Sequence, residues 1–131
     1  MRNKKTIRIY KNDVFPRKLI TAYDLDAANE HFIGADDKPL EKIEGSVATT
    51  YRVNAKRWNF GGLLVYIKEP KEFDTGTISH ESLHVVKEML EDLPCMLNDE
   101  TEEVWCYMVG WVAKCIESYM KDKIWGSYVE V

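Results

Sequence analysis

The sequence lacks an apolar run of the ~20 residues needed to cross a membrane, and it has only three histidines and three cysteines among 131 residues. We therefore predict no membrane partner. The N-terminus leads into no apolar stretch of the signal-peptide type, so the protein is expected in the cytoplasm. Because Cys95, Cys106 and Cys115 are odd in number and two lie in an apolar helical pattern, reduced core thiols are favoured over a disulfide framework.

The chain also lacks an excess of positive charge, with 18 Lys and Arg against 22 Asp and Glu and a net charge of −4. Proteins that bind nucleic acids by bulk electrostatics present a basic face, so we predict no nucleic-acid partner. Short basic clusters such as Lys56 with Arg57 are interpreted as solvated surface. The composition is that of a globular protein, and the length suits a single domain over residues 1–131.

The sequence predicts strands in the first half of the chain, between about residues 5 and 68. Alternating or β-branched apolar residues predict strands at 6–10, 18–23, 47–53 and 63–67. Asp24 or Asp26 is expected to cap a short helix that Gly34 ends, and 35–45 is expected to be a loop. Pro16 separates the first two predicted strands.

The second half reads as two helices, at about 77–93 and 100–122. Apolar positions such as Ile78 and Leu83 recur at helical spacing in the first, which Pro94 stops. Asp99 as cap with Glu102 reaching back fits a capping box at the start of the second. Residues 124–131 are a candidate for a final strand. The predicted fold class is α+β, a small antiparallel sheet followed by two C-terminal helices.

The first of these helices carries the segment His80-Glu81-Ser82-Leu83-His84. Residues four apart share one helix face, so the two imidazoles can be directed at one point. Zinc takes nitrogen ligands in a tetrahedral array, and a catalytic site leaves one position to water. Glu81 beside the first histidine is then placed to accept a proton from that water. The third histidine, His31, is interpreted as a surface or packing residue.

A third ligand is expected from the start of the second helix, which carries Glu100, Glu102 and Glu103. A helical hairpin turning near residues 94–98 would bring this helix back toward the histidines. The capping box occupies Glu102 and leaves Glu103 as the preferred ligand. All three acids are also favourable near the positive N-terminal end of a helix, so the choice between Glu103 and Glu102 stays open.

Residues 77–86 and 103–112 together resemble the small zincin-like proteins encoded by bacteriophages and prophages, with a weaker likeness at 14–19. The general pattern is gluzincin-type, with two histidines on one helix and a glutamate on the next. In these proteins a tyrosine follows the glutamate by four residues and precedes an apolar-Gly-Trp segment. Only Glu103, with Tyr107 after it, has that spacing, because Glu102 would place Cys106 there. The segments that match strongly lie within residues 77–112, about a quarter of the chain.

The resemblance implies a zinc-dependent metallopeptidase fold in the cytoplasm of a bacterial host, acting on a protein or peptide. Strands would come first, with an edge strand beside the metal cleft. Zn²⁺ would lie between the two helices, bound by His80, His84 and Glu103. Zinc-bound hydroxide would attack the peptide carbonyl, and Glu81 would pass the proton to the leaving amine. Tyr107 would hydrogen-bond a ligand or the developing oxyanion, with ordinary aromatic packing as its alternative.

Two other hypotheses fit the same residues. The chain is much smaller than familiar gluzincins, and no further histidine or arginine is evident for the oxyanion. A zinc-stabilised, non-catalytic phage binding or assembly protein is therefore the second hypothesis, and a metal-free domain with an incidental histidine pair is the third. Trp58 and Phe60 lie in the loop before the strand predicted at 63–67, and they are expected to bind an apolar side chain or simply to pack. Oligomeric state is not predicted.

Overall fold

The computed structural model describes residues 6–11, 17–91, 93 and 95–124. It confirms an α+β protein, whose described residues form one five-stranded sheet and three α-helices. The chain divides into two compact units, Met1–Phe73 and Asp74–Val131. Within the described residues, no helix combines the length and apolar character that crossing a membrane requires. Pro16, Pro94 and the candidate strand beyond residue 124 lie outside the described residues.

The first unit holds the strands and one helix. The elements in chain order are β1 (Ile7–Tyr10), β2 (Lys18–Ala22), α1 (Leu25–His31), β3 (Phe32–Gly34), β4 (Ala48–Ala55) and β5 (Gly61–Ile67), followed by a short 3₁₀ helix (Pro70–Glu72). All four predicted strands are present, with ends shifted by no more than two residues.

The sheet has the strand order β1-β2-β5-β4-β3 and is mixed, not antiparallel as predicted. β2 pairs in parallel with β5, in a register that places Ile20 opposite Leu64, and the other three pairings are antiparallel. The chain passes through α1, β3 and β4 between β2 and β5, so β5 enters the sheet in the same direction as β2. Residue alternation reports which face of a strand is buried and carries no information about its direction.

The core of the first unit lies between one sheet face and α1. Ile20, Leu64 and Tyr66 from the strands form a buried cluster with Leu25 and Phe32. Each fully buried side chain of this kind contributes about 1.5–3 kcal/mol to folding. Leu63, Val65 and Ile67 point to the opposite sheet face and are also fully buried, which explains why β5 is apolar at every position.

The helix α1 begins as predicted and ends earlier. Asp24 caps it, with its side-chain oxygen accepting a hydrogen bond from the Ala27 backbone N–H at 3.1 Å. The helix ends at His31, not Gly34, because Phe32–Gly34 turns into the edge strand β3 and pairs with β4. This strand was not predicted from the sequence. Three residues are too few to show alternation.

The predicted loop over residues 35–45 contains neither helix nor strand, and a single amide side chain fixes it to α1. Asn29 donates a hydrogen bond to the Leu40 carbonyl at 3.0 Å and accepts one from the Leu40 N–H at 2.8 Å. Both functions of the amide are therefore used, as in a paired backbone group.

The second unit is a pair of packed helices, α2 (Thr75–Glu91) and α3 (Glu102–Lys123). Both begin and end within two residues of their predicted bounds. The indole N–H of Trp105, in α3, donates to the carbonyl of Cys95, in the connection between the two helices, at 2.9 Å. Cys95, Cys106 and Cys115 all lie in the described part of the chain and form no disulfide, as predicted. None is a core residue, however, because Cys106 is exposed and the other two are half-buried.

Candidate metal site on the second unit

The start of α2 is fixed by Asp74. Its carboxylate accepts a hydrogen bond from the Thr77 backbone N–H at 2.9 Å and another from the Thr77 hydroxyl at 3.1 Å. These hydrogen bonds lower the pKa of Asp74 below its ordinary value of 3.8. Ser79 donates to the Thr75 carbonyl at 3.0 Å within the same turn. The backbone that carries His80 is thus set by local hydrogen bonds.

His80 and His84 lie one turn apart on the exposed face of α2, as the spacing predicted. Their Nε2 atoms are 3.2 Å apart, and their ring centroids are 4.8 Å apart at an angle of 71°. Two nitrogens bound to one zinc ion at ~2.0–2.1 Å in tetrahedral geometry would be about 3.3 Å apart. The pair therefore already has the separation of two ligands on one ion. The same distance also suits a hydrogen bond between the two ring nitrogens, in which the tautomers decide the donor.

Glu81 lies at the border between the exposed and buried faces of α2. The residue is 4% exposed, whereas the His80 side chain is 67% exposed. One carboxylate oxygen, Oε2, is 3.8 Å from Nε2 of His80. A residue one position further along a helix is rotated by about 100° around the axis, so Glu81 faces the interior while its carboxylate lies beside the histidine pair. This arrangement suits a base that acts next to a metal and is held still by its surroundings.

Glu103 and Tyr107 lie one turn apart on α3, and both are exposed. With 76% of its surface exposed, Tyr107 does not pack in the core, so the packing alternative has no support. The described residues contain no group of three or more His, Cys, Asp and Glu side chains arranged to hold a metal ion. The structure brings His80, Glu81 and His84 together, and the assignment of Glu103 as the third ligand stays a prediction.

The predicted capping box at the start of α3 is wrong. The N-cap is Thr101, which makes no side-chain capping bond, and Asp99 lies before it. Asn98 instead accepts hydrogen bonds from the backbone N–H groups of Glu100 at 2.8 Å and Thr101 at 3.1 Å. Asn98 satisfies these donors because its short amide fits the turn that precedes the helix. Without the capping box as an argument, the preference for Glu103 over Glu102 depends on the spacing to Tyr107.

Two apolar residues near the motif are exposed, although their helical spacing is that of a buried stripe. Leu83, beside His84 and one turn from His80, is 52% exposed, and Val104, next to Glu103, is 44% exposed. Their helical spacing matched a buried stripe, but the stripe that is buried on α2 runs through Ile78, Ser82 and Val85. The signal that identifies Leu83 as exposed is its position among the polar residues of the histidine face.

No protein-family model, curated protein or solved structure matches the chain. The function of the chain is therefore inferred from the geometry of the motif and from the chemistry of its residues.

Proposed function

We propose that this chain is a zinc-dependent metallopeptidase-like protein, of the type that bacteriophages and prophages encode, acting on a protein or peptide in the host cytoplasm. The observation that carries the proposal is the 3.2 Å separation of the His80 and His84 Nε2 atoms, which suits two ligands of one tetrahedral ion. Glu103 is proposed as the third protein ligand, from the start of the neighbouring helix.

Each residue of the site has a chemical role in this proposal. A zinc ion, when bound, acidifies water and polarises a carbonyl oxygen. Glu81 accepts a proton from the attacking water and delivers it to the leaving amine, since its carboxylate lies 3.8 Å from a ligand nitrogen. Tyr107 donates its phenolic hydrogen to the oxygen that becomes negative during attack.

Zinc content and peptidase activity test the two parts of the proposal separately. Elemental analysis after dialysis against Zn²⁺ should give one zinc per wild-type chain, and His80→Ala and His84→Ala should each abolish zinc binding. His31→Ala is the matched control, since His31 lies on α1 in the first unit and should leave zinc content unchanged. Equal zinc content in all four proteins would overturn the site.

The role of Glu81 is tested by Glu81→Gln, which keeps the shape of the side chain and removes its basicity. This variant should keep its zinc and lose cleavage of a denatured protein substrate by about 10²–10⁴-fold, the usual contribution of a general base. Full activity of Glu81→Gln would reject the mechanism. A wild-type protein that binds zinc and cleaves no substrate would favour the alternative, a zinc-stabilised binding or assembly protein.

The third ligand is tested by comparing Glu103→Ala with Glu102→Ala. The two residues are adjacent, exposed and equally charged, so each controls for the electrostatic effect of the other on the helix N-terminus. Glu103→Ala should weaken zinc binding more in a titration with a competing chelator. The reverse order would assign the ligand to Glu102.

A further inference from the structure

The hairpin formed by β4 and β5 has a charge distribution unlike that of the rest of the chain. From Gly45 to Lys68 inclusive, the sequence contains four cationic residues and no Asp or Glu, although the net charge of the protein is −4. Two of these cations, Lys56 and Arg57, lie in the exposed connection between the strands, which the Ala55 N–H closes by donating to the Phe60 carbonyl at 3.0 Å.

The parallel pairing of β2 with β5 brings two more cations to the same end of the sheet. Lys18 lies opposite Gly62 in the register, and its Nζ is 5.4 Å from the centre of the Phe60 ring. The guanidinium of Arg17 lies beside Gly61, where an added Cβ would meet its Nη1 at 3.2 Å. Two cations therefore lie in the connection and two lie beside it, although the two pairs are about forty residues apart in the sequence. We call this group the hairpin-tip cluster: Arg17, Lys18, Lys56, Arg57, Trp58 and Phe60.

Trp58 is the exposed aromatic of this cluster. It is 54% exposed, and its ring stacks on Phe60 with an interplanar angle of 19° and a centroid distance of 6.3 Å. Phe60 in turn meets the buried Phe32 edge to face at 6.2 Å. The indole is thus supported by a row of rings that reaches the core, and it is held in one orientation while much of its surface remains open to solvent.

We propose that the hairpin-tip cluster binds single-stranded nucleic acid, with Trp58 stacking on a base and the surrounding cations contacting phosphates. An exposed flat ring bordered by positive charge is the combination that single-stranded nucleic acids recognise, because every base offers an aromatic face. A duplex hides those faces in its own stack. The whole-chain charge argued against such a partner, but the structure concentrates the relevant cations at one end of the sheet.

Two other anionic partners fit the cluster less well. Insertion into a membrane surface requires several apolar side chains beside the aromatic one. Within the connection 56–60, all of which the structure describes, Trp58 is the only large apolar residue that is exposed, and Asn54 and Asn59 flank it with amides. An acidic protein segment would pair with the cations but would leave the open face of the indole unused.

Fluorescence anisotropy with a labelled oligothymidine of roughly ten nucleotides tests the proposal; for comparison, an OB-fold domain that binds single strands covers ~4–16 nucleotides. Trp58→Ala should weaken binding by about 5- to 150-fold, the usual effect of removing one base stack, and Trp58→Phe should restore most of it. Replacing Lys56 and Arg57 together by Gln should lower the slope of log affinity against log salt by about 0.7 for each phosphate that the variant no longer neutralises.

Controls separate this surface from the metal site and from nonspecific charge. Lys121→Gln removes an exposed cation of α3, which pairs with Glu117 at 3.6 Å, and should leave binding unchanged. His80→Ala should also leave binding unchanged. Equal affinity of wild type and Trp58→Ala, or an equally large decrease in Lys121→Gln, would overturn the proposal. So would binding to phosphatidylserine vesicles without binding to the oligothymidine, which would indicate a membrane surface instead.

Discussion

Zinc should raise the melting temperature of this protein by an amount that can be calculated from the position of its site. A ligand at a free concentration 100 times its dissociation constant stabilises the folded state by about 2.7 kcal/mol. The entropy of unfolding is about 2.1 cal/mol/K per residue, or about 0.28 kcal/mol/K for a chain of 131 residues. If the chain unfolds in one transition, the expected increase is about 10 °C.

The increase is larger if the two compact units unfold separately. His80 and His84 both belong to the unit Asp74–Val131, which has less than half of the residues and a correspondingly smaller entropy of unfolding. Zinc would then raise the melting temperature of that unit by about 20 °C and leave the other transition where it was. The size and number of the shifted transitions therefore report whether the units unfold together.

Differential scanning calorimetry with added Zn²⁺ and with EDTA measures these shifts. His31→Ala should keep the zinc-dependent increase, because its side chain belongs to the other unit, and His80→Ala should abolish it. An equal increase in His80→Ala and wild type would refute the reasoning, since the stabilising ion would then bind elsewhere. The absence of any increase in wild-type protein would refute zinc binding itself.

Three further predictions concern the folded state and are measured by urea denaturation. Asn29→Ala should lower the free energy of unfolding by about 1–3 kcal/mol, because the backbone groups that its amide pairs with lose their partners. Asp74→Ala should lower the free energy of unfolding at neutral pH, and this difference from wild type should vanish in acid. Hydrogen bonds from Thr77 lower the pKa of the Asp74 carboxyl in the folded state. The stability that this carboxylate contributes is therefore present above pH 3.8 and is lost as the pH falls through the folded-state pKa. Gly62→Ala should lower the free energy of unfolding by about 1–3 kcal/mol, because the added Cβ would lie 2.5 Å from a β2 side chain and 2.9 Å from a β2 carbonyl. In Gly110→Ala, on α3, the added Cβ meets nothing within 4 Å, so the better helix propensity of alanine should raise the free energy of unfolding by about 0.5–1 kcal/mol.

The elements of the fold were predictable to the extent that they are long and periodic. The strand β5 and the helices α2 and α3 each bury a face or stripe that their sequences display, and the structure confirms them. The direction of pairing was not predictable, since the parallel contact of β2 with β5 depends on how the intervening chain crosses the sheet. The start of α3 was mispredicted because Asp99 is a good capping residue by type, whereas the turn makes Thr101 the N-cap and Asn98 the acceptor of the backbone N–H groups before the helix.

The candidate site was predictable where local geometry determines it. A spacing of four on a helix is sufficient to place the imidazoles of His80 and His84 together, and the position of Glu81 follows from the same helix. The exposure of Leu83 was missed because its spacing fits two neighbouring stripes of α2. The hairpin-tip cluster could not be predicted from the sequence, because Lys18 and Phe60 come together only through the register of the sheet.

The parallel pairing at the centre of the sheet also has a consequence for the order of folding events. Pairing of β4 with β5 closes a loop of only a few residues, whereas pairing of β2 with β5 closes a loop of more than forty residues. Closing the longer loop costs more chain entropy, so the hairpin should form first and serve as the template on which β2 and then β1 assemble. Substitutions in the hairpin should accordingly slow refolding, while those in β1 should mainly speed unfolding.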